Sequence, residues 1–292
     1  MKRILITGAG SYIGTSFEDY ISSFDEYTVD TVDMIDGTWR EKSFSEYDAV
    51  FHVAGLAHSD VGNVTEEIKA KYYAVNTDLT IETAKKAKKD GAKQFIFMSS
   101  AIVYGDSAPI GKDKMITKDT PVSPANFYGD SKVQAENGIM PLADDSFKVV
   151  ILRPPMIYGR ESKGNYPILS KFARKLPGFP YVENKRSMLY VENLCEFVRL
   201  MVKNEESGIF WPQNPEYANT SKMVKLIAEA HGKKLVLVGG FAWLLKIISK
   251  VTGLVNKAFG NMCYDMTMSE YKEEYRKFGL KESIERTEVG KK

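Results

Sequence analysis

The sequence predicts an α/β fold: a doubly wound parallel sheet followed by a smaller, less regular lobe. Three observations carry this. Short, nearly continuous apolar runs alternate with helical stretches through the first half of the chain. Strands alternating with helices argue a parallel sheet, and parallel strands covered on both faces are apolar throughout rather than at every second position. A Gly-rich turn joins the first run to the first helix, and the rhythm loosens after Arg153-Pro-Pro.

Arg3–Thr7 reads as a buried strand, followed by a helix over about 12–23 and a second strand, Tyr27–Asp33. Asp48–Ala54 is another strand, and a long helical stretch covers about 64–90. Lys93–Ser99 and Lys148–Leu152 are the remaining strong strands, with a helix over about 127–140 between them. Beyond residue 153 Gly and Pro become frequent, and helices follow at about 191–203 and 221–231. The expected division is a sheet domain over 1–152 and a lobe over 153–292, with some segments returning to the sheet. The charged tail after Gly279 reads as peripheral.

With 43% hydrophobic and 27% charged residues the 292-residue chain has a globular composition, which excludes disorder as its main theme. Forty Lys+Arg against 38 Asp+Glu leave a net charge of +2, too little for a whole-protein field that would draw nucleic acid. Two cysteines and three histidines suffice for neither a disulfide framework nor a metal cluster, and no metal site is expected. The first residues enter a strand pattern at once, leaving no room for a signal peptide, and no apolar run is long enough to span a bilayer. The expectation is a cytoplasmic protein.

The turn Thr7-Gly8-Ala9-Gly10-Ser11-Tyr12-Ile13-Gly14 lies between strand and helix, the context that makes a glycine pattern informative. Glycine lets the backbone turn sharply and approach a pyrophosphate, whose charge then rests on the helix N-terminus. Asp33 follows 19 residues after Gly14, at the end of the second strand. A carboxylate there accepts both adenosine ribose hydroxyls and repels a 2′-phosphate, which favours NAD over NADP. Arg40 and Lys42 keep NADP open. The plainer alternative is an ordinary strand–helix turn with a solvated Asp.

Ser100 stands just past the Phe95–Met98 run, and Tyr128-Gly129-Asp130-Ser131-Lys132 opens a helix. At i and i+4, Tyr128 and Lys132 share one face. A phenol with a pKa near 10 is a poor base, but an adjacent ammonium and a cationic nicotinamide stabilise its phenolate. Such a tyrosine can take a proton from a sugar hydroxyl while hydride leaves the same carbon, with a serine hydroxyl holding the substrate oxygen. Taken alone, Tyr-x-x-x-Lys reads as a solvated helix turn; beside the glycine loop, Ser100 and Asp33 it is specific.

In these residues the chain resembles the extended short-chain dehydrogenases/reductases of the nucleotide-sugar epimerase/dehydratase family, with a Rossmann-type sheet. The likeness spans about residues 2–235 and rests on TGAGSYIG, Asp33, HVAG at His52–Gly55, Asn76 in AVNTDLT, SSAIVYG, YGDSK and LRPPMIYG. It implies Ser100, Tyr128 and Lys132 as catalytic residues, with Asn76 as a polar support near the lysine. It further implies a cofactor lined by Gly8, Gly10, Ser11, Tyr12, Ile13, Gly14, Asp33, Ala54, Gly55, Asn76, Tyr128, Lys132 and Pro155. Ser11 stands where the family has its middle glycine, which puts the phosphate contacts in question. The implied substrate is a nucleotide-diphosphate sugar, bound by Ser100, by Arg186 at the diphosphate and more weakly by Lys163 and Asn165. A guanidinium fork suits phosphate oxygens. The family resemblance also implies a homodimer through the helices near 64–90 and 127–140.

Dehydratases of this family place acidic residues directly after the catalytic Ser/Thr; here Ala101 and Ile102 follow, which cannot exchange protons. Two reactions at the sugar C4 remain, 4-epimerisation (favoured) and reduction of a 4-keto-6-deoxy sugar. A non-enzymatic NAD(P)-binding sensor is the distant third, disfavoured because Ser, Tyr and Lys are all present.

His52, inside an apolar strand, reads as a hydrogen-bonded structural histidine, and His58 as a candidate substrate neighbour. Cys195 reads as a buried small hydrophobe, and Cys263 has no activating signature. The segment 241–259 (FAWLLKIISKVTGLVNKAF) has apolar residues at helical spacing with lysines on other faces. A core-facing helix or lid of the lobe is favoured over an interfacial membrane helix or a partner surface.

Overall fold

The computed structural model describes residues 1–57, 64–241, 243, 245, 248 and 253–290. The chain forms two compact units that interleave in sequence. The first is Met1–Gly105, Pro121–Pro154 and Leu194–Pro212; the second is Asp106–Thr120, Pro155–Asn193 and Gln213–Lys292.

The first unit is built on a six-stranded, all-parallel sheet: β1 (Lys2–Thr7), β2 (Tyr27–Val32), β3 (Ala49–His52), β4 (Gln94–Met98), β5 (Lys148–Leu152) and β6 (Gly208–Phe210). Their spatial order is β6-β5-β4-β3-β1-β2. β1 sits between β2 and β3, with Thr7 opposite Val32 on one side and His52 on the other. Strand order therefore reverses beside β1, and the loops after β1 and β3 open there, at the switch point where α/β sheets take ligands. Every residue of β3 and β4 is buried, which is why those strands read as continuous apolar runs. Leu5, Val50, Phe95, Phe97 and Val149 pack with Trp39, Phe44, Ala135 and Ile139 into one core cluster. β6 escaped the sequence reading because three residues, one of them glycine, carry no periodicity.

The helices of this unit are α1 (Tyr12–Ile21), α2 (Glu66–Tyr73), α3 (Leu79–Asp90), α4 (Phe127–Ile139) and most of Val191–Lys203. The single helix expected over 64–90 is in fact two, joined by a π-helical turn over Ala74–Asp78. Its polar residues turn inward: Thr77 Oγ1 donates to the carbonyl of Ser131 on α4 at 2.7 Å.

In the second unit, helices α5 (Tyr166–Lys175) and Leu280–Val289 both pack on Thr220–Ala230. Three two-stranded parallel pairs complete it: Met156–Tyr158 with Met188–Tyr190, Gly178–Pro180 with Val236–Val238, and Met115–Ile116 with Cys263–Tyr264. The tail read as peripheral is a helix that buries Leu280, Ser283, Ile284 and Thr287. Cys195 and Cys263 are both buried, and burial pushes the Cys263 thiol up to about 11. Among the described residues no helix is long and apolar enough to cross a membrane. Of the segment 241–259 too little lies within the described residues to decide whether it is a lid, and His58 lies outside them.

Candidate active site

The glycine turn is shaped by close approach. Gly8 has φ +98°, and a Cβ there would meet the Ala54 backbone nitrogen at 2.8 Å. Thus the loop after β1 presses on the loop after β3, and glycine alone fits. Gly10 also has positive φ, +72°. Ser11 caps α1, its Oγ accepting from the Gly14 amide at 3.2 Å. It satisfies one of the amides a helix start leaves over, as an N-cap serine should. Tyr12 and Ile13 begin α1, and a Cβ on Gly14 would meet Ser11 Oγ at 2.7 Å. The turn therefore offers a helix N-terminus behind a side-chain-free approach, which fits a dinucleotide pyrophosphate.

Asp33 follows β2, exposed, with Oδ1 accepting from the Ile35 amide at 2.8 Å. The two cations that kept NADP open are engaged elsewhere. Arg40 forks onto Glu82, Nε to Oε1 at 2.5 Å and Nη2 to Oε2 at 2.6 Å, and lies over the Trp39 ring. Lys42 lies over Tyr47.

Ser100 has extended backbone and caps the short 3-10 turn Ala101–Tyr104, its Oγ accepting from the Ile102 amide at 3.3 Å. Asn126 caps α4 by accepting from the Gly129 amide at 3.0 Å. A Cβ on Gly129 would lie 2.9 Å from the Ile102 carbonyl oxygen. That approach brings the start of α4, and with it Tyr128, against the turn that Ser100 caps. Burial pushes the Tyr128 phenol up to about 12, with the neighbouring Ser100 side chain acting the other way. Burial pulls the Lys132 ammonium down to about 8, opposed by Glu136. Lys132 Nζ donates to the Met98 carbonyl at 2.9 Å and stands over the Phe97 ring.

Gly55 packs against this lysine: a Cβ there would lie 3.3 Å from Lys132 Nζ and 3.2 Å from Asn76 Oδ1. Asn76, fully buried in the π-helical turn, accepts from the Leu56 amide at 2.7 Å and donates to Ser131 Oγ at 3.2 Å. It ties the β3 loop to α4 at the level of Lys132. π-turns recur where a helix must present a functional group, and this one follows that pattern.

His52 is fully buried, with Nδ1 2.7 Å from Thr7 Oγ1 and Nε2 3.0 Å from Thr80 Oγ1. Burial holds it neutral, down to about 3. It is a structural histidine, as expected from its strand.

A group that sequence reasoning missed lies one turn beyond Lys132. Glu136 accepts from Ser99 Oγ and pairs with Arg153, whose Nη1 donates to Tyr104 Oη at 2.7 Å. Trp211 Nε1 donates to the same oxygen at 2.8 Å. The available signal was the i, i+4, i+8 spacing of Tyr128, Lys132 and Glu136.

The other expected site residues lie in the second unit. Pro155 is half-buried at its start, and Lys163 is exposed. Asn165 occupies the residue before α5 without capping it through its side chain. Arg186 pairs with Ala218 through backbone hydrogen bonds and donates from Nη1 to the Ala258 carbonyl at 3.0 Å.

The model of the NAD dependent epimerase/dehydratase family matches residues 4–210. A UDP-glucose 4-epimerase from Vibrio cholerae is 29% identical over 291 residues, covering 91% of this chain and 88% of that protein. From Escherichia coli O157:H7, the N-acetyl-alpha-D-glucosaminyl-diphospho-ditrans,octacis-undecaprenol 4-epimerase is 28% identical, covering 86% and 81%. Among solved structures, dTDP-4-dehydrorhamnose reductase from Bacillus anthracis in complex with NADP superposes with a TM-score of 0.75. At 17% identity over 100% of both chains, that likeness is one of fold.

Proposed function

Since the chain belongs to the NAD dependent epimerase/dehydratase family, we propose that it is a 4-epimerase of a UDP-linked hexose or N-acetylhexosamine. The carrying observation is Tyr128 at the start of α4, held against the turn that Ser100 caps, with Lys132 one turn further on and residues at 101 and 102 that cannot exchange protons. This set serves proton and hydride exchange at a single carbon and offers nothing for loss of water across C5 and C6. The two curated relatives named above are both 4-epimerases, which supports the same reading.

Bound NAD supplies the hydride acceptor and, with it, the positive charge that a tyrosine near 12 needs to act as a base. In the proposed cycle Ser100 holds the C4 oxygen and Tyr128 takes its proton as C4 is oxidised. Lys132 holds the phenolate. Once the 4-keto sugar had turned, Tyr128 would return the proton to the C4 oxygen, and bound NAD would supply the chemistry of taking up and giving back the hydride. Gly8, Gly10, Ser11 and Gly14 receive the pyrophosphate, Asp33 the adenosine ribose, and Arg186 the sugar-nucleotide diphosphate.

The second reading is a 4-keto-6-deoxy-sugar reductase. It is favoured by the absence near Met156 of the asparagine that galactose epimerases of the resembled family carry there. Incubation with UDP-galactose, UDP-N-acetylgalactosamine, an undecaprenyl-diphosphate-linked N-acetylglucosamine and a UDP-4-keto-6-deoxy sugar separates the readings. Interconversion at C4 without net change in reduced nicotinamide is the expected result. Stoichiometric NAD(P)H loss on the keto sugar alone makes the chain a reductase, and no turnover of any of them overturns both.

A further inference from the structure

The near-neutral whole conceals a strongly uneven charge distribution. Residues 166–178 and 231–260 contain eight Lys and Arg and no Asp or Glu. With totals of 40 and 38, the remainder of the chain therefore carries −6. The second unit brings residues 174–180 and 233–238 together: Val236 pairs with Gly178, Val236 N donates to the Pro177 carbonyl, and Lys233 Nζ donates to the Arg174 carbonyl at 2.8 Å.

On this surface large apolar side chains stand in solvent. Ile168 and Phe172 stand on the outside of α5, with the exposed Leu176 just past its end, while its inner side buries Tyr166, Leu169, Ser170 and Ala173. Val236 (64% exposed) and Val238, on the strand paired with Gly178–Pro180, are exposed too, as are Phe241 and Trp243 (65%) just after it in the chain. Lys171, Arg174, Lys175 and Lys234 are exposed at its margin. Of the three carboxylates on the neighbouring helix Leu280–Val289, Glu288 is turned inward to His231 and Ser170, while Glu282 and Glu285 are exposed. Several large apolar side chains exposed on neighbouring elements mark an interaction site.

We infer that this face docks on an anionic lipid bilayer, with Phe172, Val236, Phe241 and Trp243 entering the interface and Lys171, Arg174, Lys175 and Lys234 meeting the headgroups. Apolar and aromatic residues rimmed by Lys and Arg are the composition of interfacial membrane contacts, and anionic headgroups attract such cations. A second copy of the chain fits worse, because a two-fold interface through this patch sets cation against cation. The inference is independent of the reaction at C4.

Flotation of the full-length protein with vesicles tests it. Co-migration with phosphatidylglycerol-containing vesicles at about 0.1 M salt is expected, with at least tenfold less on pure phosphatidylcholine and release at about 0.5 M salt. The fluorescence of tryptophan should shift to the blue on the anionic vesicles, and Trp243→Phe should remove the shift. Phe172→Glu and the double variant Lys171→Glu/Lys175→Glu should each reduce flotation at least tenfold while leaving the melting temperature unchanged, since these side chains are exposed. Absence of flotation overturns the inference, as does flotation indifferent to both variants. Conversion of a wild-type dimer to monomer by Phe172→Glu, without vesicle binding, assigns the face to self-association instead. Binding only to an acidic protein overturns it equally.

Discussion

Glu136 and Arg153 form a buried, two-pronged ion pair, Nε to Oε1 at 3.1 Å and Nη2 to Oε2 at 2.5 Å. Glu136 lies one turn beyond Lys132 on α4, and Arg153 ends β5, so the pair clamps the helix that carries Tyr128 to the sheet. Removing one partner of a buried pair strands the other charge. Glu136→Ala is accordingly expected to lose about 3–5 kcal/mol of unfolding free energy. Replacing both by apolar residues, Glu136→Leu with Arg153→Met, should return most of that loss. Urea unfolding of the single and double variants measures it, and additive losses would show that the two act independently.

The pair also shows where sequence reading stops. A charge on a helix reads as solvated until the partner strand is placed beside it, and Glu136 and Arg153 are 17 positions apart. Strands β1, β3, β4 and β5 were legible because burial on both faces writes itself as unbroken apolar runs. So were Tyr128 and Lys132, because helical spacing alone puts them on one face. The π-turn at Ala74–Asp78 was not legible: it adds one residue to a turn and leaves the amphipathic period intact to the eye. The helix Leu280–Val289 was hidden by its composition, since its inner face is half made of Ser283 and Thr287.

Lys132 carries a conflict between work and stability. Its ammonium is pulled down to about 8 from an ordinary value of 10.5, so the buried charge opposes folding at neutral pH. Below pH 8 both states hold the proton and the full penalty is present. It is relieved as pH rises from about 8 to 10.5, where the unfolded chain alone is protonated. Lys132→Met is expected to abolish turnover, with the apoprotein gaining about 1–2 kcal/mol at pH 7 and less at pH 10. Thermal or urea unfolding at both pH values tests the sign. A variant destabilised at pH 7 would mean that the contacts with Met98 and Phe97 outweigh the desolvation.

Tyr128→Phe removes the acid/base while keeping the ring that packs edge-on against Tyr72, 5.9 Å between centroids. The variant is expected to bind NAD as the wild type does and to lose turnover by about 10²–10⁴. Calorimetric NAD titration alongside a product assay reads both quantities. Near-normal turnover would remove Tyr128 from the chemistry.

Cofactor choice rests on Asp33 and on what restrains Arg40. With the guanidinium forked onto Glu82 and stacked on Trp39, the wild type should prefer NAD to NADP by at least about tenfold. Both partners of that pair are half exposed, at 51% and 45%, so solvent screens the restraint and Glu82→Gln alone should move the preference little. Asp33→Ser combined with Glu82→Gln removes the repelling carboxylate and frees the arginine. The preference should then shift toward NADP by at least about tenfold. Dissociation constants for the two cofactors decide it, and an unchanged ratio would place the 2′ position elsewhere.

His52 makes the first unit acid-sensitive in a defined window. It is held neutral between Thr7 and Thr80, its value lowered to about 3, whereas an unfolded histidine titrates near 6.5. Above about pH 6.5 neither state binds the proton and the residue contributes no pH dependence. Between about 6.5 and 3 the unfolded chain alone is protonated, so stability falls with pH by up to about 1.4 kcal/mol per unit from this group. His52→Gln keeps a polar side chain between the two threonines and cannot titrate. Its unfolding free energy should be lower than wild type at pH 7 but decline less steeply between pH 6.5 and 4.5. The difference in slope, read from urea unfolding across that range, is the measurement. Parallel pH profiles for the two proteins would show that the acid sensitivity belongs to other groups.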